Sequence, residues 1–241
     1  MGHLTPLLLL PGIMNDARVW HPVEEALPRG RKVVVGNTHL HDHVSAIAAA
    51  AIESMPPGKF AVGGFSLGGY VALEVCRQAP DRIAGVALLD TGARADTEES
   101  RQNRSKTLAS LASGEATFDE VAGAFPPKLL HPSHVNDSAL VALLLDMARR
   151  TGREGFMRQQ QAAMSRPDNR DVLRTLQGPA LVLCGQDDQV TPPALSQEMA
   201  ELLPGDVTLV LVPQCGHLST LEQPAAVVAA FVPWIERVDN A

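Results

Sequence analysis

The stretch AVGGFSLGGYVALE, residues 61–74, sets four glycines around one serine, between an apolar run and a helical pattern. A serine in a strand-to-helix turn this sharp is forced to positive φ. Residues two positions away on either side then come too close to carry a Cβ, which is why Gly64 and Gly68 flank Ser66. Gly69 permits close approach of the helix to its neighbours. Such a turn lifts the Ser66 hydroxyl clear of a sheet and turns the Leu67 N–H toward the same space, at a helix N-terminus. A phosphate-binding loop is the rival reading. It requires a Gly-Lys-Ser/Thr ending or a G-x-G-x-x-G spacing, and GGFSLGG (63–69) has neither.

The surrounding chain supplies the strand and the helix that this turn requires. LTPLLLLP (4–11), RKVVVG (31–36), KFAVGGF (59–65), RIAGVALLD (82–90), PALVLCG (179–185) and DVTLVLVP (206–213) read as strands. Their near-continuous apolar character suits a parallel sheet covered on both faces. Helical candidates lie between them at about 16–27, 43–55, 67–79, 193–203 and 224–237. The alternation predicts an α/β fold: a doubly wound, mostly parallel sheet of about six strands with helices on both faces. Residues 91–175 interrupt the rhythm with helical patterns only, such as SALVALLLDMARR (138–150). The expected organisation is a core of residues 1–90 and 176–241, with 91–175 inserted as a helical cap over the sheet edge where open α/β sheets bind ligands.

Composition narrows the function. In 241 residues, 45% are apolar, enough for one sizeable core. A net charge of −7, from 27 acidic and 20 basic residues, argues against a nucleic-acid partner. The run LTPLLLLPG is too short to span a bilayer and lacks the charged flank of a signal peptide; Pro6 spoils a myristoylation motif. Three cysteines, Cys76, Cys184 and Cys215, form no CxxC pair and read as buried thiols of a cytoplasmic protein. The charge is uneven: residues 100–175 hold 11 basic and 8 acidic residues, a net of +3. Arg149, Arg150, Arg153, Arg158, Arg166, Arg170 and Arg174 crowd there, either as solvated helix faces or as a landing surface for an acidic carrier.

A lone serine hydroxyl is a weak nucleophile and needs a base, itself oriented by an acid. His217, in QCGHLSTLEQP, follows the last strand on the edge where Ser66 emerges, and Gly216 lets its loop turn inward. Three carboxylates compete for the acid's place. Asp188 in LVLCGQDDQVTPP is preferred; Asp187 beside it suits a turn cap, and Asp90 ends the strand RIAGVALLD.

The order Ser66, Asp188, His217, with GFSLGG, the G-x-x-D-x-x-x-P block at 185–192 and the Gly-His before the last helix, resembles the α/β-hydrolase superfamily along nearly the whole chain. The resemblance implies an oxyanion hole from the loop Pro11–Trp20, with Ile13 N–H joining Leu67 N–H. Three features depart from the family pattern. Pro11 replaces the usual histidine, leaving that residue's structural hydrogen bonds unmade. The first expected strand is the one that carries the oxyanion loop, so the two leading family strands are not expected in this sheet. GNTHLHDHVS (36–45) replaces the usual D-x-R-G-H-G-x-S loop.

The resemblance is to small capped carboxylesterases, the pimeloyl-carrier methyl ester esterases among them. It implies hydrolysis of a small ester, or of one that is anionic or borne on an acidic carrier protein, without cofactor or metal. Enol-lactone and carbon–carbon bond hydrolysis use the same triad, and a ligand receptor retaining a slow triad is the rival of another class; Ser66 argues against epoxide or dehalogenation chemistry, which uses an aspartate at the elbow. His39, His41 and His43 alternate as metal ligands would, but no further ligand stands at a known spacing, and solvated loop or pocket-wall histidines are the preferred reading. Met14, Phe65, Phe118, Phe125, Met147 and Phe156 are candidates for the substrate pocket, set against the ordinary use of Met and Phe as core.

Overall fold

This computed structural model describes residues 4–241. Six strands form one sheet: β1 (Leu7–Leu10), β2 (Val33–Val35), β3 (Phe60–Phe65), β4 (Ile83–Leu89), β5 (Ala180–Gly185) and β6 (Val207–Val212). Their spatial order is β2-β1-β3-β4-β5-β6, and every neighbouring pair is parallel. The strands fall within the six apolar runs of the sequence. From β1 the chain crosses to one side for β2, then returns to the other for β3. The order therefore reverses between β1 and β3, which opens a crevice at their C-terminal ends.

Four consecutive leucines make β1 because both of its faces are covered. Leu8 and Leu10 pack with α2 (Val44–Glu53) and α3 (Leu67–Gln78) on one side; Leu7 and Leu9 pack with Trp20, Phe231 and Trp234 on the other. Trp20 ends a 3-10 turn that runs into α1 (His21–Ala26), so the single helix expected at 16–27 is two short pieces. The edge strand β2 is only half-buried, as an unpaired flank requires.

Five helices and no strand separate β4 from β5: α4 (Glu98–Ser113), α5 (Phe118–Gly123), α6 (Pro126–Leu129), α7 (Ser138–Ser165) and α8 (Arg170–Leu173). Helix α7 is broken at Gly152, whose φ of 71° and ψ of 169° are not helical. A separate apolar cluster joins this segment to the loop after β1 through Met14, Leu111, Ala122, Ala148 and Phe156. The remaining helices are α9 (Pro193–Leu202), α10 (Ser219–Glu222) and α11 (Pro224–Asp239). No helix among the described residues is long and apolar enough to cross a membrane.

Candidate active site

Ser66 sits between β3 and α3 with φ 54° and ψ −118°. Its backbone is pinned from β4: the Ser66 N–H donates to Leu89 O (3.0 Å), and Thr91 Oγ1 donates to Ser66 O (2.8 Å). A Cβ on Gly64 would strike the Gly68 carbonyl, across the turn. One on Gly68 would instead strike the carbonyls of Leu10 and Pro11. Gly68 is thus required first by the close approach of the neighbouring strand.

His217 and Asp188 complete a hydrogen-bonded chain with this serine. Ser66 Oγ donates to His217 Nε2 and His217 Nδ1–H donates to Asp188 Oδ2, each at 2.8 Å. Asp188 is buried and also accepts from Val190 N (2.7 Å), Thr191 N (3.0 Å) and Thr191 Oγ1 (2.7 Å). Asp90, the rival carboxylate, does not bond the imidazole. It accepts from Gly185 N (2.9 Å), Ser219 N (3.3 Å) and the Ser219 hydroxyl, tying the end of β4 to β5 and to the start of α10, just beyond His217. Asp187 is half exposed, 3.6 Å from His131 Nε2.

The histidine loop is held by residues the sequence did not single out. Glu222 Oε1 accepts the N–H groups on either side of His217, from Gly216 (3.0 Å) and Leu218 (3.1 Å). His217 N–H donates to Leu129 O (2.7 Å), and a Cβ on Gly216 would strike the same carbonyl. Glu222 Oε2 in turn accepts from His131 N (2.7 Å) and bonds His134 Nδ1 (2.9 Å).

On the opposite side lies the loop Gly12–Asn15, closed by a bond from Asn15 N to Gly12 O (3.3 Å). Met14 takes φ 55°, a conformation that costs a non-glycine residue about 1–2 kcal/mol. Gln159 on α7 holds it there. Its Oε1 accepts from Met14 N (2.9 Å), and its Nε2 donates to Thr38 Oγ1 (3.0 Å) and Gly12 O (3.4 Å). With Pro11 in place of the family's usual histidine, the loop is thus braced from a different element, α7. The N–H groups of Ile13 and Leu67 donate to no protein acceptor among the described residues.

A cavity of about 280 Å³ opens over Ser66 and His217. Phe65 and Phe125 line it, and the Phe65 ring stands 5.6 Å from the His217 ring. The other pocket candidates do not line it. Met147 and Phe156 are wholly buried on the inner side of α7, Met14 is buried beside Phe156, and the Phe118 ring packs tilted against Phe156 at 5.8 Å between centroids. What sequence reading missed is a polar wall: Ser100, Asn103, Arg104, Thr107, Gln160 and Tyr70. A roomier hollow of about 820 Å³ lies elsewhere, between Gly178, Asp206 and Arg237 at the opposite end of the sheet; it contains none of these groups.

Burial favours the neutral form of each ionisable group, and charges nearby decide the outcome. Burial works to raise the Asp188 carboxyl, but the His217 charge and the donors from His217 and Thr191 outweigh it and hold the group low. Burial works to lower His217, and the carboxylates of Asp188, Asp90 and Glu222 outweigh it, raising the imidazole above its ordinary value. Asp90 is driven up by burial and by the charge of Asp188. The remaining candidates have other contacts. His43 accepts from Ser45 N at the start of α2, the His39 carbonyl accepts from Arg158, and His41 is exposed. Cys215 is buried and its thiol is pushed up by burial. Most of the basic run is internally paired: Arg150 with Asp146, Arg153 with Glu154, Arg166 with Asp96, Arg170 with Asp168 and Arg174 with Asp171.

Comparison with known proteins fits this frame. The pimeloyl-acyl-carrier-protein methyl ester esterase of Nitrosomonas europaea is 27% identical over 244 residues, covering 95% of each chain. A thermophilic esterase from Thermogutta terrifontis, solved with malate bound, superposes with a TM-score of 0.86 at 30% identity, covering 99% of this chain and 92% of that one. The enol-lactonase of Burkholderia xenovorans LB400 shares the fold, with a TM-score of 0.82 at 22% identity over 96% of this chain and 92% of its own. The sequence profile of the alpha/beta hydrolase fold matches residues 5–224, and with the six-stranded parallel sheet it makes this chain a member of that family.

Proposed function

We propose that the chain is a serine hydrolase of carboxylic esters, with Ser66 as nucleophile, His217 as general base and acid, and Asp188 as the group that orients the imidazole. The observation that carries this reading is the chain of two 2.8 Å hydrogen bonds from Ser66 through His217 to Asp188, at the floor of a cavity. As Ser66 Oγ attacks the ester carbon, His217 Nε2 takes its proton, and Asp188 stabilises the resulting imidazolium. The carbonyl oxygen becomes an oxyanion, for which the N–H groups of Ile13 and Leu67 are the donors, each worth about 2.7–4 kcal/mol. Collapse expels the alcohol, which receives the proton from His217 and leaves an acyl-Ser66 ester. Water then gives a proton to His217 and attacks the acyl carbon, and the acid departs as Ser66 is restored.

Segment 91–175 serves in this reading as the cap that roofs the cavity. The name of the Nitrosomonas relative supports an ester borne on an acyl carrier as one form of the substrate. A fluorophosphonate probe tests the core of the proposal. Mass spectrometry is expected to find the adduct on Ser66, and Ser66→Ala is expected to lose turnover of short p-nitrophenyl esters. An adduct elsewhere, or turnover that survives the substitution, overturns it.

A further inference from the structure

The cavity over Ser66 has two unlike walls. One is apolar, from Ile13, Phe65, Phe125, Leu129 and Leu218. The other is a single face of α4, whose residues Ser100, Asn103, Arg104 and Thr107 fall at i, i+3, i+4 and i+7. This helix buries only Leu111, so the face it turns to the cavity is polar by sequence and not by accident of a rotamer.

Arg104 is the centre of that face. Its Nε donates to Asp96 Oδ2 (3.0 Å) and its Nη1 to Gln160 Oε1 (2.6 Å), while Nη2 donates to no protein group among the described residues. Asp96 is fully buried and is shared with Arg166, whose Nη2 reaches Asp96 Oδ1 at 2.7 Å. Arg166 also lies over the ring of Tyr70, a cavity residue, 4.2 Å from its centroid. Two guanidinium groups divide one carboxylate, so this wall keeps one positive charge in surplus. Among the described residues, no acidic side chain lines the cavity.

A plain alkyl ester would set hydrocarbon against these amides, hydroxyls and the guanidinium, removing their water without replacing its hydrogen bonds. A carboxylate would accept from the open edge of Arg104 and from Asn103, in charge-assisted bonds about twice as strong as neutral ones. We infer that the cavity selects carboxylic esters that carry a second, anionic carboxylate, held by Arg104 on the α4 face. This rests on Ser66 being the nucleophile.

Two matched pairs of esters test it, with acid release followed at constant pH. Monomethyl adipate against methyl hexanoate places the charge on the acid side; acetoxyacetate against propyl acetate places it on the alcohol side. The wild-type protein is expected to favour the anionic member of at least one pair by about tenfold in kcat/KM. That ratio is expected to fall to about one in Arg104→Gln and to persist in Arg101→Gln, on the exposed face of the same helix. A wild-type ratio of one or less in both pairs, or a ratio that survives Arg104→Gln, overturns the inference. Arg104 also partners a buried carboxylate, so a circular-dichroism melt checks that the variant folds. If it does not, the wild type decides. Adipate must raise its melting temperature more than hexanoate does, with the gap closing as salt rises; equal shifts overturn the inference. A chain that takes up no fluorophosphonate and hydrolyses none of the four esters fails the serine-hydrolase reading instead, and the adipate melt still decides whether the anion site exists.

Discussion

Gln159 and Met14 stand 145 positions apart in sequence and share one buried hydrogen bond, Met14 N–H to Gln159 Oε1 at 2.9 Å. That bond fixes a strained peptide next to the Ile13 N–H. A positive φ at Met14 persists only where its surroundings over-determine it, and the Gln159 carboxamide contacts the loop at Gly12 as well as at Met14. In the proposed chemistry the distance from Ile13 N–H to the oxyanion is therefore set by α7.

Gln159→Leu, which keeps the bulk and removes the acceptor, is expected to lower kcat by about five- to thirtyfold, the equivalent of about 1–2 kcal/mol. That is a fraction of a whole oxyanion donor, because Ile13 is displaced and not removed. KM should move less than kcat. Gln159→Glu retains the acceptor for Met14 and should lose less. Steady-state kinetics on a p-nitrophenyl ester checks both, and equal losses in the two variants would remove Gln159 from the oxyanion geometry.

The two buried aspartates should separate cleanly. Asp188→Asn leaves the imidazole without its acceptor and is expected to cost about 10⁴-fold in kcat. Asp90→Asn leaves that bond intact but faces an amide N–H toward donors from Gly185 and Ser219, a loss of about 1–3 kcal/mol in stability. Kinetics paired with urea unfolding distinguishes the two patterns, and the reverse pattern would transfer the acid's role to Asp90.

The pH dependence follows from the raised His217 and the lowered Asp188. A general base must be neutral, so kcat/KM should rise through an acid limb centred above 6.5, the ordinary histidine value. Asp90→Asn should move that limb down, since the Asp90 charge helps to raise the imidazole. Stability runs the other way. The contribution of His217 is full below its unfolded pKa and fades as pH climbs through the higher folded one; that of Asp188 is full above its unfolded pKa and fades on acidification. The stability gap between wild type and Asp188→Asn should therefore narrow from pH 6 to pH 9, over the interval in which turnover rises. Urea titrations at the two pH values measure it.

Glycine substitutions test the turn. Gly68→Ala drives a methyl into the Leu10 and Pro11 carbonyls of β1 and its following loop, and should destabilise by about 3 kcal/mol or more. Gly123→Ala, at the end of α5 with open space around it, should be neutral or stabilising by up to about 1 kcal/mol. Thermal melts of the two variants give the contrast.

The strands and the turn at Ser66 were legible because their causes are local. Apolar runs of strand length, and glycines at fixed offsets from a serine, carry their meaning within a few residues. Gln159 and Glu222 were not legible, because each matters through a neighbour far along the chain. RQQQ at 158–161 presents three glutamines, and the break at Gly152 resets the phase of α7, so a register carried over from 138–150 cannot say which glutamine faces inward. A signal was present: Gln159 lies three residues after buried Phe156 and four before buried Ala163. A polar side chain in line with that apolar face needs a partner. Met147 and Phe156, proposed for the pocket by residue type alone, serve the ordinary use of Met and Phe as core and belong to its foundations.

The carbonyl of Leu129 that receives the His217 N–H belongs to the same segment as Gln159 and as the α4 wall. In the proposed reading, removing the segment would thus take away the carbonyl that holds His217 as well as the cap, so a descendant without it could not simply be a less selective enzyme. Evolution is left with an uneven substrate for change. The ends that grip the loops at Met14 and His217 are under mechanical constraint, as is Arg104 through its bond to buried Asp96, whereas the rest of the α4 face, on a helix that buries only Leu111, is free to exchange the side chains it shows to the cavity. Drift in what such a protein accepts would be written first at positions 100, 103 and 107.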